Sequence, residues 1–287
     1  MSDLGRIGVW SMELRSGAAD GDHDAIAELE QLGYTTVWIP GLGGQGALQR
    51  AEQLLGATQR INVATGVLGL WSHDPEELAA EHRRLNATYD GRLLTGIGAS
   101  SPGSAEAVGK QFPGAVTAMN DYLDRIDAAA TPIPQGERVL AALGPKMTEL
   151  AARRARGSHP FLVTPQYVAD SRDLVGDNVL IAPHQAVVLA KRAEPARAAA
   201  RLGIGAAIGF PSYRANLRRM GFGDDDLVPG GSDRLIDAVV AWGDVDAIAE
   251  RIREHHEAGA DHVAMQVLAP PDGLPVRDAW EQLSALL

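Results

Sequence analysis

Two kinds of apolar pattern alternate along the whole chain. Short apolar runs rich in β-branched residues predict strands, whereas longer stretches with an apolar residue at every third or fourth position predict amphipathic helices. The helix predicted at 75–89 has a defined start, since Asp74 can cap it and Pro75 occupies its first position. The predicted strands are 6–11, 35–40, 61–70, 92–99, 138–143, 159–164, 178–182 and 262–268.

The order of these elements predicts the fold class. Strands that alternate with helices and are not joined by hairpins pair in parallel through right-handed crossovers. Eight such units in a chain of 287 residues predict an α/β fold, a (β/α)8 TIM barrel that occupies residues 1–287 as a single domain. About 80 residues separate the seventh and eighth predicted strands, far more than an ordinary connection. We therefore expect a long helical insertion there, at about 190–240, that acts as a lid.

Composition and charge narrow the function. The formal net charge is −11, from 26 basic and 37 acidic residues, which argues against a nucleic-acid or anionic-membrane partner. The absence of cysteine excludes thiol catalysis, disulfides and thiolate metal sites, and we expect no metal site of another kind. The N-terminus enters a strand directly, and no apolar stretch approaches the ~20 residues of a membrane span. We expect a cytoplasmic protein whose partner is a small-molecule substrate.

The sequence GLGGQG at 41–46 has the spacing of a dinucleotide-binding fingerprint on a strand-to-helix turn. A Rossmann domain would also need an acidic residue at the end of the next strand, and residues 61–67 contain none. The motif follows the second strand of the chain, whereas the fingerprint normally follows the first. We therefore interpret it as a βα loop of a barrel.

The rim of the predicted barrel carries mostly glycine and apolar residues at the carboxyl ends of its strands, where barrel enzymes place their reacting groups. Such a surface lets a flat ring lie close to the backbone, so we expect an aromatic cofactor that brings its own reactivity. Gly96 and Gly98 would leave room for a ligand or, equally, permit tight packing of the barrel interior. The expected cofactor-binding residues are Pro40, Gly41, Gly66, Val67, Gly98, Ala99, Ser100, Ser101, Gly144, Lys146 and Thr164.

Few side chains at the predicted strand ends can transfer a proton. His73 and His184 lie at such ends, and each is either a functional group or a polar residue of the rim. Glu13 follows the first strand, and with the two histidines it completes the set of catalytic candidates. Six other histidines are expected to be structural, and one of them, at 159, is expected at the start of a strand and away from the site; they are His23, His82, His159, His255, His256 and His262.

Several segments, in their order and spacing, resemble a known family. These are TTVWIPG at 35–41, ATGVLGLW at 64–71, GRLLTGIGAS at 91–100 and LGPKMTELAARRARGSHPFLVTP at 143–165. Together they resemble the luciferase-like monooxygenase superfamily, and more closely an actinobacterial subfamily of oxidoreductases that depend on coenzyme F420. The resemblance extends over essentially the whole chain.

This resemblance implies a barrel that binds the deazaflavin coenzyme F420 and transfers hydride at the ring. It implies a non-proline cis peptide at Gly66–Val67, contacts to the ribityl-phosphate from 98–101 and 144–146, and a homodimer. The F420-dependent sugar-phosphate dehydrogenases of this superfamily carry a histidine after the second strand and a glutamate after the fourth. This chain has Gly41 and Ser101 there, so we do not expect oxidation of a sugar phosphate.

Two other functions fit the same residues. One is a monooxygenase that binds FMN and oxygen, and the other is a protein that binds the cofactor without turnover. A cofactor-free isomerase or aldolase is disfavoured because no lysine or carboxylate pair stands at the predicted strand ends.

Overall fold

The computed structural model describes residues 3–16, 22–41 and 46–287, in which all paired strands run parallel. Alternating apolar residues in short runs form these strands, as predicted from the sequence. The strands are β1 (Ile7–Trp10), β2 (Thr36–Ile39), β3 (Asn62–Thr65), β4 (Leu68–Gly69), β5 (Leu93–Gly98), β6 (Arg138–Leu140), β7 (Gly157–Ser158), β8 (Leu180–Ile181), β9 (His184–Leu189), β10 (Val240–Gly243) and β11 (Val263–Val267).

Helices follow most of the strands and pack on the outside of the sheet. The predicted start of the fourth helix is confirmed, since the Asp74 carboxylate accepts from the backbone N–H groups of Glu76 and Glu77. The helices are α1 (Met12–Ser16), α2 (Asp22–Leu32), α3 (Ala47–Gly56), α4 (Pro75–Thr88), α5 (Pro102–Glu106), α6 (Ala115–Ala128), α7 (Pro145–Arg154), α8 (Pro165–Val175), α9 (Ala193–Ile208), α10 (Pro211–Arg219), α11 (Asp233–Val239), α12 (Val245–Glu257) and α13 (Val276–Leu283).

The sheet curls back on itself through the segment 180–189. The strand order is β10-β9-β11-β1-β2-β3-β5-β6-β7-β8, with β4 beside β5, so β8 and β9 stand near opposite ends of the order. Only Ala182 and Pro183 separate β8 from β9. The N–H of Ala182 donates to the Ser158 carbonyl, and the N–H of Ala264 donates to the Pro183 carbonyl, both at 2.9 Å. One segment therefore joins β7 to β11, as in a curled sheet of the TIM-barrel kind.

Adjacent residues of one strand lie on opposite faces of this sheet. Val9, Val37 and Met265 belong to a large cluster shared with residues of α2, α12 and α13, which is the outer layer. Their neighbours Trp10 and Trp38 belong to a second cluster built almost entirely from strand residues, which is the interior. The period of two in the sequence thus decides which side chains can face a ligand.

One predicted strand is misplaced, and two strands of the structure, β9 and β10, were not predicted and lie in the stretch where a long helical insertion was expected. The sixth strand was predicted at 159–164, but β7 is Gly157–Ser158, because Gly157 at φ 158° permits a close approach to the backbone of Leu180. Strand β10 was not predicted. The helix α11 passes into it without an intervening turn residue, so the two elements form one apolar stretch in the sequence. The region 190–240 contains α9, α10 and α11.

Candidate active site

Four aromatic rings form a continuous wall from the interior of the sheet to helix α10. The ring of Phe161 lies 3.9 Å from that of His184, centroid to centroid, and the rings of Trp10 and His184 meet in a T-shaped contact at 5.3 Å. On its outer side Phe161 meets Tyr213 of α10 edge-on at 5.9 Å. Because Trp10 ends β1 and Phe161 follows β7, this aromatic wall stands at the carboxyl ends of the strands.

The peptide bond between Gly66 and Val67 is cis and interrupts the third strand, as the family resemblance implied. The indole N–H of Trp10 donates to the Gly66 carbonyl at 3.2 Å, so this bulge touches the aromatic wall. A Cβ at Gly98 would lie 2.8 Å from the side chain of Val67, and a Cβ at Gly96 would lie 2.9 Å from it. The glycines of β5 therefore make room for Val67, which supports the packing alternative for them.

The structure corrects the expected position of His159. Because β7 begins at Gly157, His159 points into the interior beneath Gly66 and is 3% exposed. Its ring stacks on Trp38 with the centroids 4.1 Å apart, and its Nδ1 lies 2.7 Å from the Ala182 carbonyl, so Nδ1 carries the proton. Its Nε2 has no hydrogen-bond partner among the described residues and would lie 3.0 Å from a Cβ at Gly66.

The three catalytic candidates lie in different surroundings. The exposed Glu13 follows β1 and accepts from the Ser11 hydroxyl at 2.9 Å. The half-buried His73 has its Nδ1 3.1 Å from the Gly69 carbonyl. His184 is 2% exposed, with its Nε2 2.8 Å from Oε1 of Gln266. Within the described residues the three share no hydrogen bond, so the structure does not assemble them into one catalytic group.

Burial decides the charge of the interior histidines. It lowers the pKa of His184 to about 3 and the pKa of His159 to about 4. At neutral pH both imidazoles are therefore uncharged. His184, which begins β9, is there a hydrogen-bonding group beside Gln266, and its role in catalysis stays a prediction.

Most of the expected cofactor-binding residues of the rim are held by local hydrogen bonds. The Ser101 hydroxyl accepts from the N–H of Ser104 and begins α5, and the Thr164 hydroxyl accepts from the N–H of Tyr167 and begins α8, both at 3.3 Å. Two other expected residues accept hydrogen bonds through their backbone carbonyls, Ala99 from the Trp71 indole N–H and Pro40 from Arg15. Ser100 has a left-handed backbone conformation, with φ 56°.

The turn before α7 carries positively charged side chains beside a helix N-terminus. Gly144 precedes this helix without a side-chain cap, and Lys146 is exposed in its first turn. Arg219 of α10 donates from Nη2 to the Leu143 carbonyl at 3.1 Å, and this nitrogen would lie 3.3 Å from a Cβ at Gly144. Two cations beside a helix N-terminus favour an anion.

Most of the GLGGQG loop, residues 42–45, lies outside the described residues. Gly41 is described, and a Cβ there would lie 2.3 Å from the Val67 carbonyl oxygen. The loop thus begins in contact with the bulge, as a βα connection at the carboxyl ends of the strands.

Gly66, Val67 and His184 were among the residues predicted from the sequence, whereas Trp10, Phe161 and Tyr213 of the aromatic wall were not. Trp10 could have been found from the period of two, since it follows the outward Val9 at the carboxyl end of β1. Phe161 lies beyond the end of β7, so the period of two does not locate it. Gln266 could have been found in the same way as Trp10, because Met265 and Val267 lie in the outer layer. Tyr213 carries no such signal, since it comes from a helix distant in sequence.

Three further observations concern metal binding, membrane spans and cavities. In the described part of the chain, no three histidine, aspartate or glutamate side chains group closely enough to hold a metal ion. Within residues 3–16, 22–41 and 46–287, no helix has the length and apolar character needed to cross a bilayer. A cavity of about 590 Å³ opens at the opposite, amino-terminal end of the strands, beside Arg6, Thr35 and His256, and includes none of the rim residues described above.

Comparison with known proteins now gives the family. The model of the family described as luciferase-like monooxygenase matches residues 9–262. This chain belongs to the luciferase-like monooxygenase family. A Mycobacterium tuberculosis protein named "Putative coenzyme F420-dependent oxidoreductase" is 23% identical, over 95% of this chain and 96% of its own length. The family resemblance inferred from the sequence is confirmed.

Several solved structures share the fold of this chain. An F420-dependent secondary alcohol dehydrogenase in complex with an F420-acetone adduct has a TM-score of 0.75 at 13% identity, with 98% of each chain covered. The coenzyme F420-dependent tetrahydromethanopterin reductase of Methanopyrus kandleri has a TM-score of 0.73 at 18% identity, also with 98% of each chain covered. The oxygenating constituent of the FMN-bound 3,6-diketocamphane monooxygenase of Pseudomonas putida has a TM-score of 0.66 at 15% identity, with 97% of this chain and 96% of the other covered.

Proposed function

We propose that this luciferase-like protein is an oxidoreductase that uses coenzyme F420 for hydride transfer to or from a small organic substrate. The observation that carries this proposal is the aromatic wall beside the Gly66–Val67 bulge at the carboxyl ends of the strands. The names of the M. tuberculosis relative and of two solved structures support F420 as the cofactor.

The residues present fit such a cofactor. Val67 and Phe161 offer apolar surfaces for a planar ring, and the exposed Lys146 in the first turn of α7 suits an anionic tail. When bound, the deazaflavin supplies the carbon that donates or accepts hydride. The exposed Glu13 and the half-buried His73 are the candidates for moving a proton to or from solvent.

The protein's own contribution is position and exclusion of water. We propose that 190–240 forms a lid, since Tyr213 of α10 closes the outer end of the aromatic wall. A cytoplasmic location and a homodimer are proposals that rest on the sequence and on the family resemblance. The role of the rim residues 98–101 and of Thr164 in holding the cofactor is a proposal of the same kind.

The first experiment titrates the purified protein with F420 and, separately, with FMN, following the fluorescence of its five tryptophans and of each cofactor. Binding of F420 in the micromolar range or tighter, with weaker binding of FMN, is the expected result. Tighter binding of FMN would instead support a monooxygenase, the activity suggested by the FMN-bound structural neighbour. Binding of neither would contradict the proposed function.

A second measurement separates an enzyme from a protein that only binds the cofactor. F420 is mixed with the protein and a panel of small alcohols, and its reduction is followed by the loss of its absorbance; the reduced form is tested with ketones in the same way. We expect turnover with at least one compound. Tight binding without turnover across the panel would favour the non-catalytic alternative.

A further inference from the structure

Gln266 presents a polar group to the interior at the carboxyl end of β11. Its neighbours Met265 and Val267 lie in the outer layer, so the alternation along the strand turns Gln266 inward. The residue is 7% exposed, and its Oε1 lies 2.8 Å from Nε2 of His184. The amide nitrogen is not among the fully buried polar atoms that lack a partner in the described residues, so it reaches accessible space, where it can donate to a ligand.

His184 determines how this amide is oriented. The imidazole packs against Phe161 with the ring planes 30° apart and against Trp10 with the planes 83° apart, so its ring plane is fixed by packing. Burial keeps it uncharged, because its pKa is lowered to about 3. With its proton on Nε2 it donates to Oε1 of Gln266, and the Gln266 amide nitrogen then points away from His184. This nitrogen donates to no side chain or backbone group among the described residues.

The position of Gln266 in the strand order separates it from the expected cofactor residues. Gly66 follows β3, Gly98 ends β5 and Gly144 follows β6, whereas His184 and Gln266 lie on β9 and β11, on the other side of β1 in the strand order. If the cofactor ring lies against the Gly66–Val67 bulge, the Gln266 amide faces the substrate on the other side of that ring. The aromatic surroundings favour an uncharged ligand there.

We propose that Gln266 is the substrate-recognising residue of the site, whose amide nitrogen donates a hydrogen bond to the carbonyl or hydroxyl oxygen of an uncharged substrate, and that His184 is its positioning residue. This inference rests on the proposed function and adds the class of substrate, small neutral ketones and the corresponding alcohols. A neutral donor aimed at such an oxygen stabilises negative charge that develops on it.

The test uses the side-chain amide signal of Gln266 in 15N-labelled protein, identified by its loss in the variant Gln266→Met. Cyclohexanone is added to the protein with F420 bound, and cyclohexane serves as a matched probe that lacks the oxygen. We expect the Gln266 signal to shift with cyclohexanone and not with cyclohexane. A signal that moves with neither probe, or that moves with both alike, would overturn the inference.

Variants test the direction of the hydrogen bond. Gln266→Glu keeps the shape and the oxygen that accepts from His184 but replaces the donor with an acceptor. Gln266→Met removes both polar groups. We expect both variants to weaken cyclohexanone binding at least tenfold with an unchanged Kd for F420, whereas Gln49→Glu, the same change on the exposed face of α3, has no effect. Normal cyclohexanone binding by Gln266→Glu, or a weakened Kd for F420, would contradict a donor to the substrate.

His184→Phe tests the positioning role, since it retains a ring against Phe161 but removes the N–H that holds Oε1. We expect the Gln266 amide signal to broaden or shift without added ligand, and cyclohexanone binding to weaken as in Gln266→Glu. An unmoved signal would contradict the role of His184. Failure of the native protein to bind F420 would contradict the proposed function alone, because the response of Gln266 to cyclohexanone can be measured without the cofactor.

Discussion

At the scale of single residues, the contact between the bulge and the aromatic wall leaves no room for a side chain at Gly66. A Cβ there would lie 2.8 Å from the Trp10 indole nitrogen and 3.0 Å from Nε2 of His159. We expect Gly66→Ala to lower stability by about 1–3 kcal/mol and to weaken F420 binding at least tenfold, because Trp10 must move. Thermal unfolding and the F420 titration measure both effects.

The matched control is Gly136→Ala, at a glycine of the turn Gln135–Glu137 where no atom lies within 4 Å of the added Cβ. This variant should behave like the native protein in both assays. If Gly66→Ala binds F420 as tightly as the native protein does, the cofactor does not lie against the bulge.

The buried histidines make stability depend on pH in a defined window. Burial lowers the pKa of His159 and His262 to about 4 and that of His184 and His255 to about 3, from 6.5 in an exposed histidine. Between these values the unfolded chain binds more protons than the folded one, so the free energy of unfolding falls as the pH drops from about 6.5 towards 4. Urea unfolding at about pH 7.5, 6 and 5 should show this decrease. Equal free energies at the first and last pH would contradict neutral interior histidines.

At the scale of secondary structure, helix α10 is held to the site by Arg219, which donates to the Leu143 carbonyl before α7. If 190–240 is a lid, Arg219→Met should raise the KM for substrate several-fold through a looser closed state, with a smaller change in F420 affinity. Comparable losses in both would assign Arg219 to the cofactor site. The control is Arg218→Met, since Arg218 pairs only with the exposed Asp224 among described residues.

Deleting part of α10 would be a weaker test of the lid. Leu217 and Phe222 are buried in the cluster that this segment shares with β9 and β10, so their loss would expose core surface. The sequence predicted a helical region here from its spacing and length, but it carried no signal for these contacts.

At the scale of the whole molecule, the curled sheet brings distant segments to one end. Trp10 ends β1, Phe161 follows β7 and Gln266 lies on β11, although some 250 residues separate the first from the last. Because all of these site residues come from one chain, the site does not require a second subunit, and the proposed homodimer is tested separately. We expect light scattering after gel filtration to give twice the mass of one chain, and a monomeric mass at micromolar concentration would contradict it.

The sequence by itself determined the type and order of most elements. The periods of two and 3.6, the cap at Asp74 and the glycine and proline positions act locally, so the strand and helix sequence that leads to a parallel curled sheet could be predicted from them. The family resemblance located the bulge at Gly66–Val67 for a related reason, since its motif is contiguous in the chain.

Only the tertiary structure decided which side chains meet. The predicted start of β7 was displaced by two residues, and the contacts of His159 with Trp38 and Ala182 could not be seen from the chain alone. His184 and Gln266 are 82 residues apart in sequence, and strand pairing, rather than any local preference, places them in hydrogen-bond contact. Local patterns encode the face on which a side chain lies, whereas the partner it finds there depends on register and packing across the whole sheet.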